Sequence, residues 1–177
     1  MGEKKRALLI AGGGTLGTYT SKELLRLGHA VDVICLEDQV SDNPDLRFLK
    51  EYATVEYLEK LLTENRYDGI VNFLHYRTVE EYKPYHELLA ANTDHLIFLS
   101  SYRVYADLQH PITENAPRLY DVIDDSEFLE NEDYSVPKSK CEDFLRGECY
   151  GEPWTIVRPV ISFSDRRLDL LLYYERD

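Results

Sequence analysis

Cations are in short supply in this chain: 20 Lys and Arg stand against 33 Asp and Glu over 177 residues, a formal net charge of −13. A charge of that sign repels a phosphate backbone or an anionic bilayer on average, so neither nucleic acid nor membrane is an expected partner. Cysteine is scarce as well. Cys35, Cys141 and Cys149 form an odd set without paired spacing, which does not read as a disulfide framework or a zinc site. Buried or half-buried free thiols in a reducing compartment are expected instead. His75 and His86 have no partners at ligand spacing and read as surface or crevice residues, so no metal is expected. There is no run of about 18 apolar residues to span a membrane. Residues 1–6 are short and charged and lack the apolar stretch of a signal peptide. Together these features read as a soluble cytoplasmic protein.

What the chain does have is an ordinary folding composition, 44% hydrophobic and 30% charged, at a length that suits one domain. Residues 7–11 (ALLIA) form a short apolar run ending in three glycines, the pattern of a strand buried on both faces. Leu16, Leu24, Leu25 and Leu27 recur at roughly helical spacing, with Gly28 as the residue after the helix. Residues 30–36 (AVDVICL) read as a second strand, and residues 38–45 as polar connection with a turn at Asn43-Pro44. A helix is expected at 55–62, a strand at 69–74, a helix at 80–91 with an interruption near Pro84, and a strand at 95–100. Residues 111–133 read as an irregular acidic loop or lid, with seven acids between Asp121 and Asp133. A helix at 137–146, with Cys141, Phe144 and Leu145 facing inward, and a strand at 154–157, with Trp154 as a core anchor, complete the pattern. A further helix-like segment begins at Arg166. Alternating strands and helices require parallel pairing through crossovers, so the expected fold is α/β with a doubly wound parallel sheet.

Gly12, Gly14 and Gly17 fit G-x-G-x-x-G after a strand and at the start of a helix, with acids about 20 residues on. That context marks a dinucleotide fingerprint. Gly12 permits the tight turn, Gly14 lets a pyrophosphate approach the backbone, and Gly17 lets the helix pack on the strand. Thr15 and Leu16 lie in the first helical turn, whose free N–H groups and positive dipole end face the phosphates. Glu37, with Asp38 beside it, can accept both ribose hydroxyls of NAD and would repel the 2′-phosphate of NADP; no Lys or Arg neighbours them in sequence to welcome that phosphate.

Ser100-Ser101 ends a buried strand, where open α/β sheets present their ligand crevice. Tyr134 and Lys138 are four residues apart, on one face if helical, and Pro137 between them requires the helix to start there or just before. A phenol has a pKa near 10, and a nearby ammonium favours its ionised form. Tyr134 is therefore a candidate base for a substrate hydroxyl, Ser101 a hydrogen-bonding partner of the substrate oxygen, and Lys138 a holder of the nicotinamide ribose.

The segments AGGGTLG, FLSSYRVYAD, PITENAP, YSVPKSKCE and TIVRPVISF, in that order, resemble the extended or atypical short-chain dehydrogenase/reductase superfamily, in its NAD-dependent epimerase/dehydratase branch. The serine-strand segment FLSSYRVYAD and the tail segment TIVRPVISF are also similar to nucleoside-diphosphate-sugar epimerase-like proteins related to chloroplast stem-loop-binding proteins. The resemblance implies a Rossmann-type fold, Ser101, Tyr134 and Lys138 as the catalytic set, and a cofactor site of Gly12, Gly14, Thr15, Leu16, Gly17, Glu37, Asp38, Ser100 and Lys138. Ser101 is preferred to Ser100 as catalytic residue because it lies four residues before Tyr105 in S-x-x-V-Y. Arg158-Pro159 matches the branch's Arg-Pro. Three positions depart from the branch: Ala11 stands at its first glycine, Lys50-Glu51 at its Gly-Asp, and Ser164-Asp165 where it has Gly-Pro. NAD is the implied cofactor and a nucleotide sugar the implied substrate. Residues 1–177 correspond to the dinucleotide-binding part, without the branch's C-terminal substrate-binding half. The exposed apolar surface expected around Tyr173-Tyr174 suggests a homodimer. A non-catalytic dinucleotide sensor is the alternative reading.

Overall fold

The computed structural model describes residues 3–162 and residue 164. The segments expected from Arg166 onward, Tyr173-Tyr174 among them, lie outside the described residues. The chain runs β1 (Arg6–Ile10), α1 (Thr15–Arg26), β2 (Ala30–Cys35), β3 (Leu46–Lys50), α2 (Val55–Glu64), β4 (Gly69–Asn72), α3 (Val79–Ala90), β5 (Leu96–Leu99), a 3-10 turn (Tyr102–Val104), α4 (Leu119–Val122), α5 (Ser126–Asn131), α6 (Ser135–Gly147) and β6 (Trp154–Val157). The six strands form one sheet in the order β3-β2-β1-β4-β5-β6. Every pairing is parallel. This is the doubly wound Rossmann-type order, and its switch point lies between β1 and β4.

Alternation along β1 divides the core between the two faces of the sheet. Leu8 and Ile10 join Ile34, Ile70 and Leu96 against Leu58, Leu61 and Leu62 of α2 and Leu89 of α3. Leu9 points the other way, with Val31 and Val33, onto Leu24 and Leu25 of α1. Farther along the first face, Phe98 packs with Tyr82 of α3 and with Cys141, Phe144 and Leu145 of α6. All three cysteines are buried free thiols. No helix of the described residues is long and apolar enough to cross a membrane.

Three elements differ from the sequence expectation. β3 follows the polar connection at 38–45, on residues to which the residue pattern assigns no element, although the resemblance sets Lys50-Glu51 just after a third strand. It is an edge strand carrying Arg47 and Lys50, with no fully buried position, so its apolar signal is weak. The acidic segment is not wholly irregular: it holds α4 and α5, and Asp125 caps α5 by accepting from Phe128 N at 3.0 Å. α3 runs unbroken through Pro84. Tyr82, His86 and Leu89 form its buried stripe while Pro84 faces solvent. The carbonyl of Glu80, which loses its helical partner to the proline, is on the wet side.

Candidate functional site

Because all strands run the same way, the turns that follow β1, β2, β4 and β5 emerge at one edge of the sheet, its carboxyl edge. After Ile10 the chain bends through Ala11, at φ 57 in the left-handed region, and Gly12 N donates to the Ile34 carbonyl at 3.0 Å. A Cβ on Gly17 would lie 2.1 Å from the Gly12 carbonyl oxygen and 2.5 Å from its Cα, so the first turn of α1 rests directly on the bend. A Cβ on Gly14, by contrast, would meet nothing within 4 Å. Gly14 is the exposed N-cap of α1; no side chain caps that end and no acid stands in its first turn. α2 and α3 are capped by Thr54 and Thr78 and carry acids in theirs. The N-terminus of α1 is therefore uncompensated, and Thr15 and Leu16 are half-buried beside it.

The pattern G-x-G-x-x-G leaves Gly13 as a free position, and the structure gives it a reason. A Cβ there would fall 2.3 Å from Glu37 Oε2 and 2.8 Å from Cys35 Cβ. Glu37 thus lies against the glycine turn and, with Gly13, Gly14, Glu51, Tyr52 and Leu74, lines a cleft of about 240 Å³. Asp38 points away into solvent and pairs with Lys50 Nζ at 3.1 Å. A cation that sequence adjacency does not show thus stands beside the acid pair in the fold. The β2–β3 register sets Lys50 opposite Cys35, a proximity that sequence distance hides.

The Gly17 contact predicts a large loss from one methyl group. In Gly17→Ala the new atom meets backbone rather than a side chain that could turn away. Overpacking of that kind costs about 1–3 kcal/mol, so the Tm is expected to fall by roughly 2–12 °C. The thermal midpoint measures it, and an unchanged Tm would show that α1 does not sit on the bend.

At the end of β5, Ser100 and Ser101 are both buried. Ser101 Oγ accepts from Arg103 N at 3.2 Å and starts the 3-10 turn. Lys138, buried in α6, donates from Nζ to the Leu99 carbonyl at 2.7 Å. Burial pushes its pKa down to about 8, against the pull of Cys141 and Glu142. Tyr134 is the N-cap of α6 rather than a residue within it. Its ring is 5.6 Å from Lys138 Nζ, lies under the Arg103 guanidinium at 4.9 Å, and stacks on exposed His75 at 5.3 Å. Pro137 falls in the first turn of α6, where its missing N–H has no partner to lose. The structure therefore brings Ser101, Tyr134 and Lys138 to the same carboxyl edge as the glycine turn.

Sequence reasoning missed the residues that hold this set. Glu132 accepts from Tyr134 N at 3.2 Å, Val136 N at 2.8 Å and Ser135 Oγ at 2.8 Å, fixing the start of α6. Burial works against its charge, yet these hydrogen bonds leave its carboxyl below the ordinary range. An acid three residues before Ser135 was the only available signal. Behind α6, fully buried Glu142 receives Arg158 Nε at 2.8 Å and Nη2 at 2.5 Å. Arg158 Nη1 also donates to the Tyr105 hydroxyl and to the Glu114 carbonyl, and Arg118 stands 3.6 Å from Glu142. The Arg-Pro arginine thus ties α6 to the end of β6 and to the loop after β5. Trp154 is half-buried and donates from Nε1 to the Cys149 carbonyl at 2.8 Å. His86, expected at the surface or a crevice, is buried and lines a cleft.

No protein-family model and no curated protein sequence matches the chain. Solved structures match its fold. The Bordetella bronchiseptica enzyme WbmH in complex with NAD+ superposes with a TM-score of 0.73 at 18% identity, over 98% of this chain and 62% of that one. A dTDP-glucose 4,6-dehydratase from Bacillus anthracis in complex with NAD gives 0.70 at 18% identity, over 92% and 57%. A UDP-glucose 4-epimerase from Thermotoga maritima with UDP-glucose gives 0.63 at 16% identity, over 86% and 54%. The chain thus has the Rossmann-type fold of these structures and spans roughly three-fifths of their length or less.

Proposed function

We propose that the carboxyl edge binds NAD, and that Ser101, Tyr134 and Lys138 act there in an epimerase- or dehydratase-type reaction on a hydroxyl of a nucleotide sugar. The observation that carries this reading is the glycine bend. Gly17 seats α1 against it, while Gly14 leaves open space before an uncapped helix N-terminus. A diphosphate fits that space, because unpaired N–H groups and the positive end of the helix dipole favour an anion. Glu37, lying against Gly13, is placed to accept ribose hydroxyls in the adjoining cleft and disfavours a 2′-phosphate. The neighbours solved with NAD and with UDP-glucose support both ligand classes.

Bound there, NAD supplies a hydride acceptor. The protein's own part is to place and move a proton. Tyr134 takes the proton of the substrate hydroxyl at its phenolic oxygen and returns it in the reverse direction. Ser101 donates a hydrogen bond to the substrate oxygen. Lys138 spends one of its three N–H donors on the Leu99 carbonyl and has two for ribose hydroxyls. Glu132 and His75 hold the Tyr134 backbone and ring from opposite sides.

Calorimetric titration with the two dinucleotides tests the reading. NAD is expected to bind at least about 10-fold more tightly than NADP, a difference of about 1.4 kcal/mol, and Glu37→Gln is expected to narrow the gap. Tighter NADP binding would overturn the role of Glu37. Binding of neither would remove the whole proposal.

A further inference from the structure

The opposite edge of the sheet, at the amino ends of β5 and β6, carries a second constellation that owes nothing to the proposed cofactor site. His86 lies in the second half of α3. Cys149 and Glu152 flank the turn between α6 and β6, where Gly151 takes φ +91. One ligand atom from each of the three side chains falls within 4.8 Å of the other two. His86 and Cys149 are buried, while the Glu152 side chain is 45% exposed. It opens on a cleft of about 510 Å³ shared with Lys83, Glu87 and Glu148.

The histidine is already oriented as a metal ligand would be. Its Nδ1 is 3.2 Å from the hydroxyl of fully buried Tyr82, and its Nε2 is 2.7 Å from Glu152 Oε2. Phe144 packs edge-on at 5.5 Å and Tyr82 at 5.6 Å, which fixes the ring plane. A partner on one ring nitrogen that sets the other toward the ion is the usual outer support of a ligating histidine. The charge balance also suits a cation. Glu87, Glu148 and Glu152 face the cleft with one ammonium, Lys83, which Glu148 holds at 2.7 Å.

We propose that His86, Cys149 and Glu152 bind a zinc ion, with a fourth position open to the cleft. One sulfur, one imidazole nitrogen and one carboxylate oxygen are donors that zinc accepts in a tetrahedral site. Zinc–ligand distances near 2.0–2.3 Å set the ligands roughly 3.3–3.6 Å apart. The His86–Glu152 pair opens slightly to reach that separation and the cysteine closes, both by side-chain rotation. On binding, the Cys149 thiol releases its proton to solvent and the thiolate takes the coordination bond. The ion cross-links α3 to the turn that leads into β6, at the far end of the helix that carries Lys138.

The test uses the tag-free, metal-stripped chain and two probes, cobalt(II) and zinc chloride. Cobalt is expected to give a thiolate-to-cobalt charge-transfer band saturating at one ion per chain and abolished by zinc. Zinc at about 100 times its Kd is expected to raise the Tm by roughly 5–10 °C. Cys149→Ser and His86→Gln should each lose the band and the shift, and Cys35→Ser should keep both. Absence of a cobalt band, or a band that survives in Cys149→Ser, overturns the proposal. Should Cys149→Ser fail to fold, alkylation of the unaltered protein decides. Zinc should slow labelling of Cys149, mapped by peptide mass, at least about 10-fold, as expected when the reactive thiolate is held by the ion. Equal rates with and without zinc overturn the site.

Discussion

Tyr134→Phe is expected to lower the rate of NADH formation from bound NAD and a nucleotide sugar by about 10²–10⁴-fold, the range that removal of a positioned acid–base group produces. NAD affinity should stay where it was. The ring would still stack on His75 and lie beneath Arg103, and the backbone N–H held by Glu132 is untouched. What disappears is the phenolic oxygen to which the proposed mechanism gives the proton. Single-turnover absorbance under saturating dinucleotide measures it, using a panel of UDP- and dTDP-sugars. Equal rates in the two proteins would favour a dinucleotide sensor over an enzyme. The pH profile carries a second mark. Lys138 keeps its proton below about pH 8 and loses it above, so cofactor binding should weaken as the pH rises through 8. Lys138→Arg, which stays charged, should flatten that limb.

The largest effect on stability is expected from Glu142→Ala. The carboxylate is fully buried and receives two hydrogen bonds from Arg158, with Arg118 close by. Removing it strands the largely buried Arg158 guanidinium without its counter-charge, while Arg118 keeps Asp121 and Asp143, and breaking a buried pair in this way costs about 3–5 kcal/mol. For a chain of this size the Tm should fall by about 6–20 °C. The pH dependence has a defined sign. Burial opposes the charge of Glu142, but Arg158 and its neighbours hold the carboxyl below its ordinary value. Its contribution is therefore complete above the unfolded pKa of about 4.3 and is lost as the pH falls through the lower folded value. The unaltered protein should lose stability on acidification in that window, and the variant should show less of that dependence. Urea midpoints between pH 3 and 7 measure both. A variant with an unchanged midpoint at pH 7 would show that the pair contributes nothing net.

How much of this was legible in the sequence depended on how local the cause was. The glycine turn could be read because its three positions and the strand before it lie within a dozen residues, and Gly17 answers a contact with Gly12 made almost in place. β1, β2, β4 and β5 were marked by apolar runs: β1 and β2 are covered on both sides, and β4 and β5 alternate buried with half-buried positions. β3 failed for the opposite reason. It is a short edge strand carrying Arg47 and Lys50 with no fully buried position, and its pairing with β2 makes it a strand. α4 and α5 were hidden because segments of four and six residues carry no period. Among candidate site residues, Tyr134 and Lys138 lie four residues apart at the start of α6, the first as its N-cap, and so could be seen together. The bond from Lys138 to Leu99 spans 39 residues, and that between His86 and Glu152 spans 66. Such contacts are made by topology, and no spacing rule reaches them. The pairing of Lys50 with Asp38 belongs to the same class, 12 residues apart along a chain that folds back on itself.

The arrangement of the strands also sets the order in which the molecule can assemble. Its innermost strand, β1, is flanked by β2 and by β4, and the second of these neighbours is made roughly 60 residues later. On a ribosome β1 and β2 emerge with α1 and can associate at once, while the other side of β1 has no partner until β4 has been synthesised. Sheets built on such distant pairings fold slowly, because a long loop must close before any contact rewards it. The interval leaves Leu8 and Ile10 without the cover of α3, which follows β4 in the chain. A nascent chain arrested just before Gly69 should therefore be the species that chaperones hold longest.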